Sequence, residues 1–167
     1  MRTHAAELGI DPERIIASGG SAGGHLAATT ATATQFNEPG EDTSVDCRPK
    51  ALVLFNPVFD NGPEGYGHDR VKDYWQDISP MHNLKKGTPP TLVFLGTKDK
   101  HIPVATAEKY KALMEANGDR CDNHLYPDRP HGFFNRRGKQ NTDFDDTLKK
   151  MDAFLVLLGF LTPPEHP

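Results

Sequence analysis

The sequence predicts an α/β fold: one parallel sheet of about four strands with flanking helices, forming a single domain over residues 1–167. Three observations carry this. Strand-like and helix-like segments alternate along the chain. Two of the strand-like segments, ALVLFN (Ala51–Asn56) and TLVFLG (Thr91–Gly96), are continuous apolar runs. They are too short for typical helices and suit strands buried on both faces. A third short run, Arg14–Ser18, leads into a glycine-rich turn and then an alanine-rich helical stretch.

In chain order, Thr3–Leu8 holds helix formers, and Gly9 stops them. Asp11-Pro12-Glu13 reads as a turn or a fresh one-turn start. Arg14–Ser18 is the first strand, and the helix after Ser21 ends near Gln35. Asn37–Pro49 is polar and carries Pro39, Gly40 and Pro49, so it reads as a surface loop. Ala51–Asn56 is the second strand, ended by Pro57. Asp60–Asp77 is rich in glycine, charge and aromatics, and predicts a long loop with helical pieces lying over a site. Ser79-Pro80 opens a short helix through Leu84. Pro89 and Pro90 introduce the third strand, Thr91–Gly96. Val104–Asn117 places Ala107, Tyr110, Leu113 and Met114 at helical spacing, with Gly118 as the stop. Asn123–Tyr126 is a short fourth strand, and Asp128–Gly138 is a loop. Thr142–Leu158 is the closing helix, with Leu148, Met151, Phe154, Leu155 and Leu158 on one face. Pro163, Pro164 and Pro167 mark a frayed tail.

Hydrophobic residues make up 36% and charged residues 25% of the chain, an ordinary globular composition. The net charge of -4 comes without a basic stripe, so nucleic-acid binding has no support. No apolar run approaches the ~20 residues that span a bilayer. The start, MRTHAAELG, lacks the apolar segment of a signal peptide, which makes the cytoplasm the default location. Cys47 and Cys121 do not make a disulfide framework and read as ordinary thiols.

Gly19, Ser21 and Gly23 fit G-x-S-x-G, the pattern of a sharp strand-to-helix turn with serine at its apex. Alone the pattern is common, but here it has the strand before it and the helix after it that the motif demands. Ser21 follows the first strand, Asp99 the third and His131 the fourth. In a parallel sheet all three stand at the carboxyl end, where sites gather. A serine hydroxyl needs a base to become a nucleophile, a histidine is one near neutral pH, and a buried carboxylate fixes that histidine's tautomer. The first helical N–H, that of Ala22, points where negative charge would develop. Asp128 competes with Asp99 as the acid. His25, His82, His101 and His124 compete with His131. The spacing of histidines and cysteines suggests no metal site. GGSAGG lacks the lysine of a phosphate loop, so no cofactor is expected.

GGSAGGHLA, LVFLGTKDKHIPV and RPHGFF resemble the esterase/lipase group of α/β-hydrolases related to hormone-sensitive lipase and bacterial acetyl esterases. The resemblance runs from Thr3 to about Leu158. It implies that Ser21 is the nucleophile, Asp99 the acid, His131 the base and the Ala22 N–H an oxyanion donor. It also implies cleavage of short-chain, acetyl-type esters through an acyl-enzyme. The strands would match the fifth to eighth of that fold. The group's His-Gly-Gly oxyanion motif, which lies before this region, has no match in Met1–Arg14. The chain therefore reads as a C-terminal half, a partial α/β-hydrolase fold, and export is open if a native N-terminus is missing.

The loop aromatics Phe59, Tyr66, Tyr74, Trp75, Phe133 and Phe134 are the candidate substrate pocket, with packing in the core as the rival role. Two other readings compete. One is a prolyl-oligopeptidase-like peptidase, although Ala22 stands where that group commonly has an aromatic residue. The other is a weakly active or inactive hydrolase fragment. The first strand would form a bare sheet edge. That predicts a homodimer or a bound N-terminal segment covering it.

Overall fold

Four parallel strands lie side by side in chain order: β1 (Ile16–Gly20), β2 (Ala51–Phe55), β3 (Thr91–Gly96) and β4 (Cys121–Tyr126). The register pairs Ile16 with Ala51, Leu52 with Thr91, and Thr91 with Cys121. A computed structural model describes residues 1–136, 138 and 141–163; the tail prolines Pro164 and Pro167 lie outside the described residues.

α1 (Ala5–Leu8) precedes β1; between the strands run α2 (Ala22–Thr32), α3 (His68–Val71), α4 (Trp75–Ile78) and α5 (Val104–Ala116), and α6 (Thr142–Leu157) follows β4. Short 3₁₀ turns occupy Arg2–His4, Pro12–Arg14 and Pro80–Asn83. The Asp11 carboxylate accepts the Glu13 N–H at 2.8 Å and starts the second of these. Gly9 closes α1 in the left-handed conformation.

The continuous apolar runs are buried on both faces because both faces are covered. Leu52, Leu54, Val93 and Leu95 face α2 and α5, meeting Ala28, Ala31, Tyr110 and Met114. Ala51, Val53, Leu92 and Phe94 face α6, meeting Phe154 and Leu155. Among the described residues no helix is long and apolar enough to cross a membrane.

The structure shifts several expected boundaries. β1 is Ile16–Gly20 rather than Arg14–Ser18, so the strand includes the first motif glycine, Gly19, and Gly20 after it. α2 ends at Thr32, short of Gln35, and β4 begins two residues early, at Cys121. Leu113 and Leu148 are exposed, contrary to expectation. On α6 the buried row runs through Thr147, Met151, Phe154, Leu155 and Leu158; Leu148 stands one position off that row and turns to solvent.

Candidate active site

Ser21 holds φ 54° and ψ −116°, a region that residues with a Cβ enter only when the surroundings force it. The force is the close approach of β1 to α2. A Cβ on Gly19 would stand 2.3 Å from the Gly23 carbonyl carbon and 2.8 Å from the Gly24 nitrogen. A Cβ on Gly23 would meet nothing within 4 Å, so the space restriction falls on Gly19. The Ser21 N–H donates to the Phe55 carbonyl at 2.8 Å, which ties the turn to the end of β2. Ser21 caps α2. Ala22 is the first helical residue, and its N–H has no acceptor within the helix.

Asp99 follows β3, with its side chain fully buried. Its Oδ1 accepts the backbone N–H groups of His101 and Ile102 at 2.8 and 3.1 Å. Its Oδ2 accepts from His131 Nδ1 at 2.7 Å. An ionised carboxylate only accepts, so the proton sits on Nδ1 and leaves Nε2 as the free base. The His131 side chain is 27% exposed, open to a reactant on its other edge. Asp128, the rival acid, is exposed and pairs with Lys98 at 2.8 Å.

The His131 loop folds back onto the serine turn. A Cβ on Gly20 would meet Phe134 Cζ at 2.8 Å, and the Phe134 and Phe55 rings lie 4.7 Å apart. Ser21 and His131 thus sit on two segments that touch through Gly20 and Phe134. Among the described residues Ser21 Oγ makes no hydrogen bond to His131; such bonds commonly tighten only with substrate in place.

The other histidines do not bond to the Asp99 carboxylate through their rings. His25, one turn after Ser21, bonds Asn61 Oδ1 through Nε2 at 2.9 Å, and burial lowers its pKa. His82 Nδ1 lies 2.9 Å from Ser79 Oγ. His124 stacks on Phe94. His101 stands edge-on to His131, with ring centroids 5.1 Å apart.

The predicted aromatic pocket divides in two. Phe59 is fully buried and stacks on Tyr110 at 3.7 Å. Phe133 is buried against Tyr126 at 4.5 Å. Both plug the ends of the cores, because the loops after β2 and β4 close over the sheet's two faces. Phe134 is half-buried over Gly20. Trp75 meets His82 edge-on at 4.8 Å, and Tyr74 is exposed. Tyr66 lines a cleft of about 180 Å³. A larger cavity, about 530 Å³, lies between α2 and the loop that follows it, and holds none of Ser21, Asp99 and His131. Among the described residues no three His, Cys, Asp or Glu side chains gather as a metal site.

Sequence reasoning missed Asn56, which follows β2 directly at φ 40°. Its side chain is buried, and among the described residues neither the amide oxygen nor the nitrogen has a partner. The available signal was one polar residue closing an apolar run.

Residues 1–157 match the prolyl oligopeptidase family. Over 148 residues the chain is 26% identical to an acetylxylan esterase of Xylanibacter ruminicola, covering 80% of this chain and 28% of that protein. It is 40% identical to Thermogutta terrifontis esterase 2 phosphorylated by paraoxon, with a TM-score of 0.87 over 97% of this chain and 60% of that one. The propionate-bound form of that esterase matches at 40% identity and a TM-score of 0.88, with coverage of 97% and 62%. The chain thus spans about three fifths of these solved esterases and under a third of the acetylxylan esterase. It belongs to the prolyl oligopeptidase family and has the α/β-hydrolase fold of these esterases.

Proposed function

We propose that this chain is the catalytic part of a serine hydrolase that cleaves short-chain carboxylic esters, acetyl esters among them. Ser21 Oγ attacks the ester carbonyl carbon while His131 Nε2 takes its proton. Asp99 stabilises the imidazolium that forms, and the Ala22 N–H faces the developing oxyanion. His131 then protonates the departing alcohol, leaving the acyl group on Ser21. Water, deprotonated by the same base, releases the acid.

The observation that carries this reading is the 2.7 Å bond between His131 and the buried Asp99, at the same sheet end as a strained Ser21. The propionate-bound and paraoxon-phosphorylated forms of the similar esterase support a small acyl group and a site that an organophosphate modifies. Tyr66, Tyr74, Trp75 and Phe134 are the pocket candidates, and Phe59 and Phe133 back them from the core. A fluorophosphonate probe tests the assignment. It should label one serine, and both Ser21→Ala and His131→Ala should lose the label together with p-nitrophenyl acetate hydrolysis. Full activity in Ser21→Ala would sink the reading, and an unlabelled wild type would favour an inactive fragment.

The family match favours a second reading, a peptidase. Faster cleavage of a peptide anilide than of p-nitrophenyl acetate would establish it. Removing one oxyanion donor costs about 10²–10³ in rate. With Ala22 as the only assigned donor, turnover should be low unless another chain supplies a second.

A further inference from the structure

A cleft of about 180 Å³ opens between the segment after β2 and the start of α5. His101 joins it to the proposed base. The His101 ring lies 5.1 Å from that of His131 and 5.9 Å from that of Tyr66, edge-on to both. In ester cleavage His131 must hand its proton to the departing oxygen. The leaving alcohol therefore departs beside His131, and His101 is the side chain in ring contact with it on the cleft side.

The floor of the cleft is apolar, formed by Phe59 and Ile102. Its rim is not. Among the described residues the Glu64 carboxylate, the Tyr66 hydroxyl and the His101 ring nitrogens have no hydrogen-bond partner. Asp60 commits only Oδ1, to the Gly62 N–H at 2.7 Å and to His82 at 3.9 Å. An alkyl chain filling this space would gain no hydrogen bond from those groups, which meet water at the rim, exposed or, for Asp60, half-buried. A molecule with several hydroxyls would replace the water bond for bond. A cleft of about 180 Å³ suits a small polyol or a single sugar ring.

We propose that this cleft is the leaving-group subsite and that it selects esters of polyhydroxylated alcohols, with His101 and Glu64 determining the specificity. The inference rests on the esterase reading above. Two measurements on the whole chain test it. The first titrates glycerol and 1-propanol against the His101 and Tyr66 ring signals by NMR, which needs no turnover. Glycerol should give saturating shifts, and propanol should bind about fivefold more weakly, the factor one retained hydrogen bond supplies. The second compares kcat/KM for glyceryl monoacetate, ethyl acetate and acetylcholine. The glyceryl ester should lead, and its advantage over ethyl acetate should shrink towards one in His101→Ala and Glu64→Gln. Equal shifts, an equal ratio or a preference for acetylcholine would overturn the subsite. Loss of Ser21 labelling defeats the esterase reading itself. Labelling without glycerol selectivity defeats the subsite alone.

Discussion

Asp99 and Asp128 lie 29 positions apart in sequence and in opposite surroundings. Asp99 is buried beneath the His131 ring, and Asp128 pairs with Lys98 in solvent. Asp99→Asn should lower kcat by about 10⁴, because an amide no longer holds the imidazole in the productive tautomer. Asp128→Asn should change it by no more than about twofold, as expected for an exposed site. Steady-state rates on p-nitrophenyl acetate check both, and equal losses would overturn the ranking. Two other histidines couple folding to pH. Burial lowers the pKa of His25, against the bonds to Asn61 and Ile78. Burial, then Lys150, lowers that of His124. In the unfolded chain both groups protonate near 6.5. Below that value, and above their native pKa values, the unfolded state binds more protons, so stability rises with pH. This contribution is complete above 6.5 and is lost as pH falls towards the native values. The Tm should therefore drop between about pH 7.5 and pH 5.5, and His25→Asn should flatten the drop. Thermal melts at the two pH values decide; an unchanged slope in the variant would remove His25 from the account.

At the scale of elements, the loops after strands serve two masters. The loop after β4 presents His131 to the site and sends Phe133 into the core against Tyr126. The segment after β2 sends Phe59 down onto Tyr110 and leaves Tyr66 at the rim of the cleft. Phe133→Ala should cost about 3–5 kcal/mol, the range for emptying a buried aromatic site, and leave KM nearly flat across acyl lengths. Trp75→Ala should shift KM with acyl length and cost less stability. Urea melts paired with a short acyl-ester series separate the two roles. A KM shift in Phe133→Ala without loss of stability would return that residue to the pocket.

At the scale of the molecule, β1 pairs only with β2 among the described residues and forms one edge of their sheet. Ser18 at its centre is exposed, although this strand carries the serine turn. An unpaired edge offers N–H and C=O groups to another strand. Leu26 and Phe36, on the same side as the 530 Å³ cavity, are exposed as well. We expect the chain to associate through β1, as a two-fold dimer or with an N-terminal segment of the same fold. Light scattering after size exclusion gives the mass, and hydrogen exchange at Ile16 and Ser18 gives the protection. A monomer with fast exchange at both amides would overturn this.

The alternation of elements, the strand Thr91–Gly96 to the residue, and the placement of Ser21, Asp99 and His131 after strands were all legible in the sequence. Each depends on local chemistry: apolar runs, glycine punctuation and chain order act over a few neighbouring residues. Asp99 was readable as the acid from its place after the third strand and from the family resemblance, but its hydrogen bond to His131, 32 positions away, was not. The same holds for Phe59 and Phe133: an aromatic residue in a loop has one composition whether it lines a pocket or plugs a core. The left-handed, unpartnered Asn56 and the contact of His101 with His131 also appear only when distant segments meet. Sequence specifies which residue types stand at each strand end; packing of the loops over the sheet decides which of them face one another.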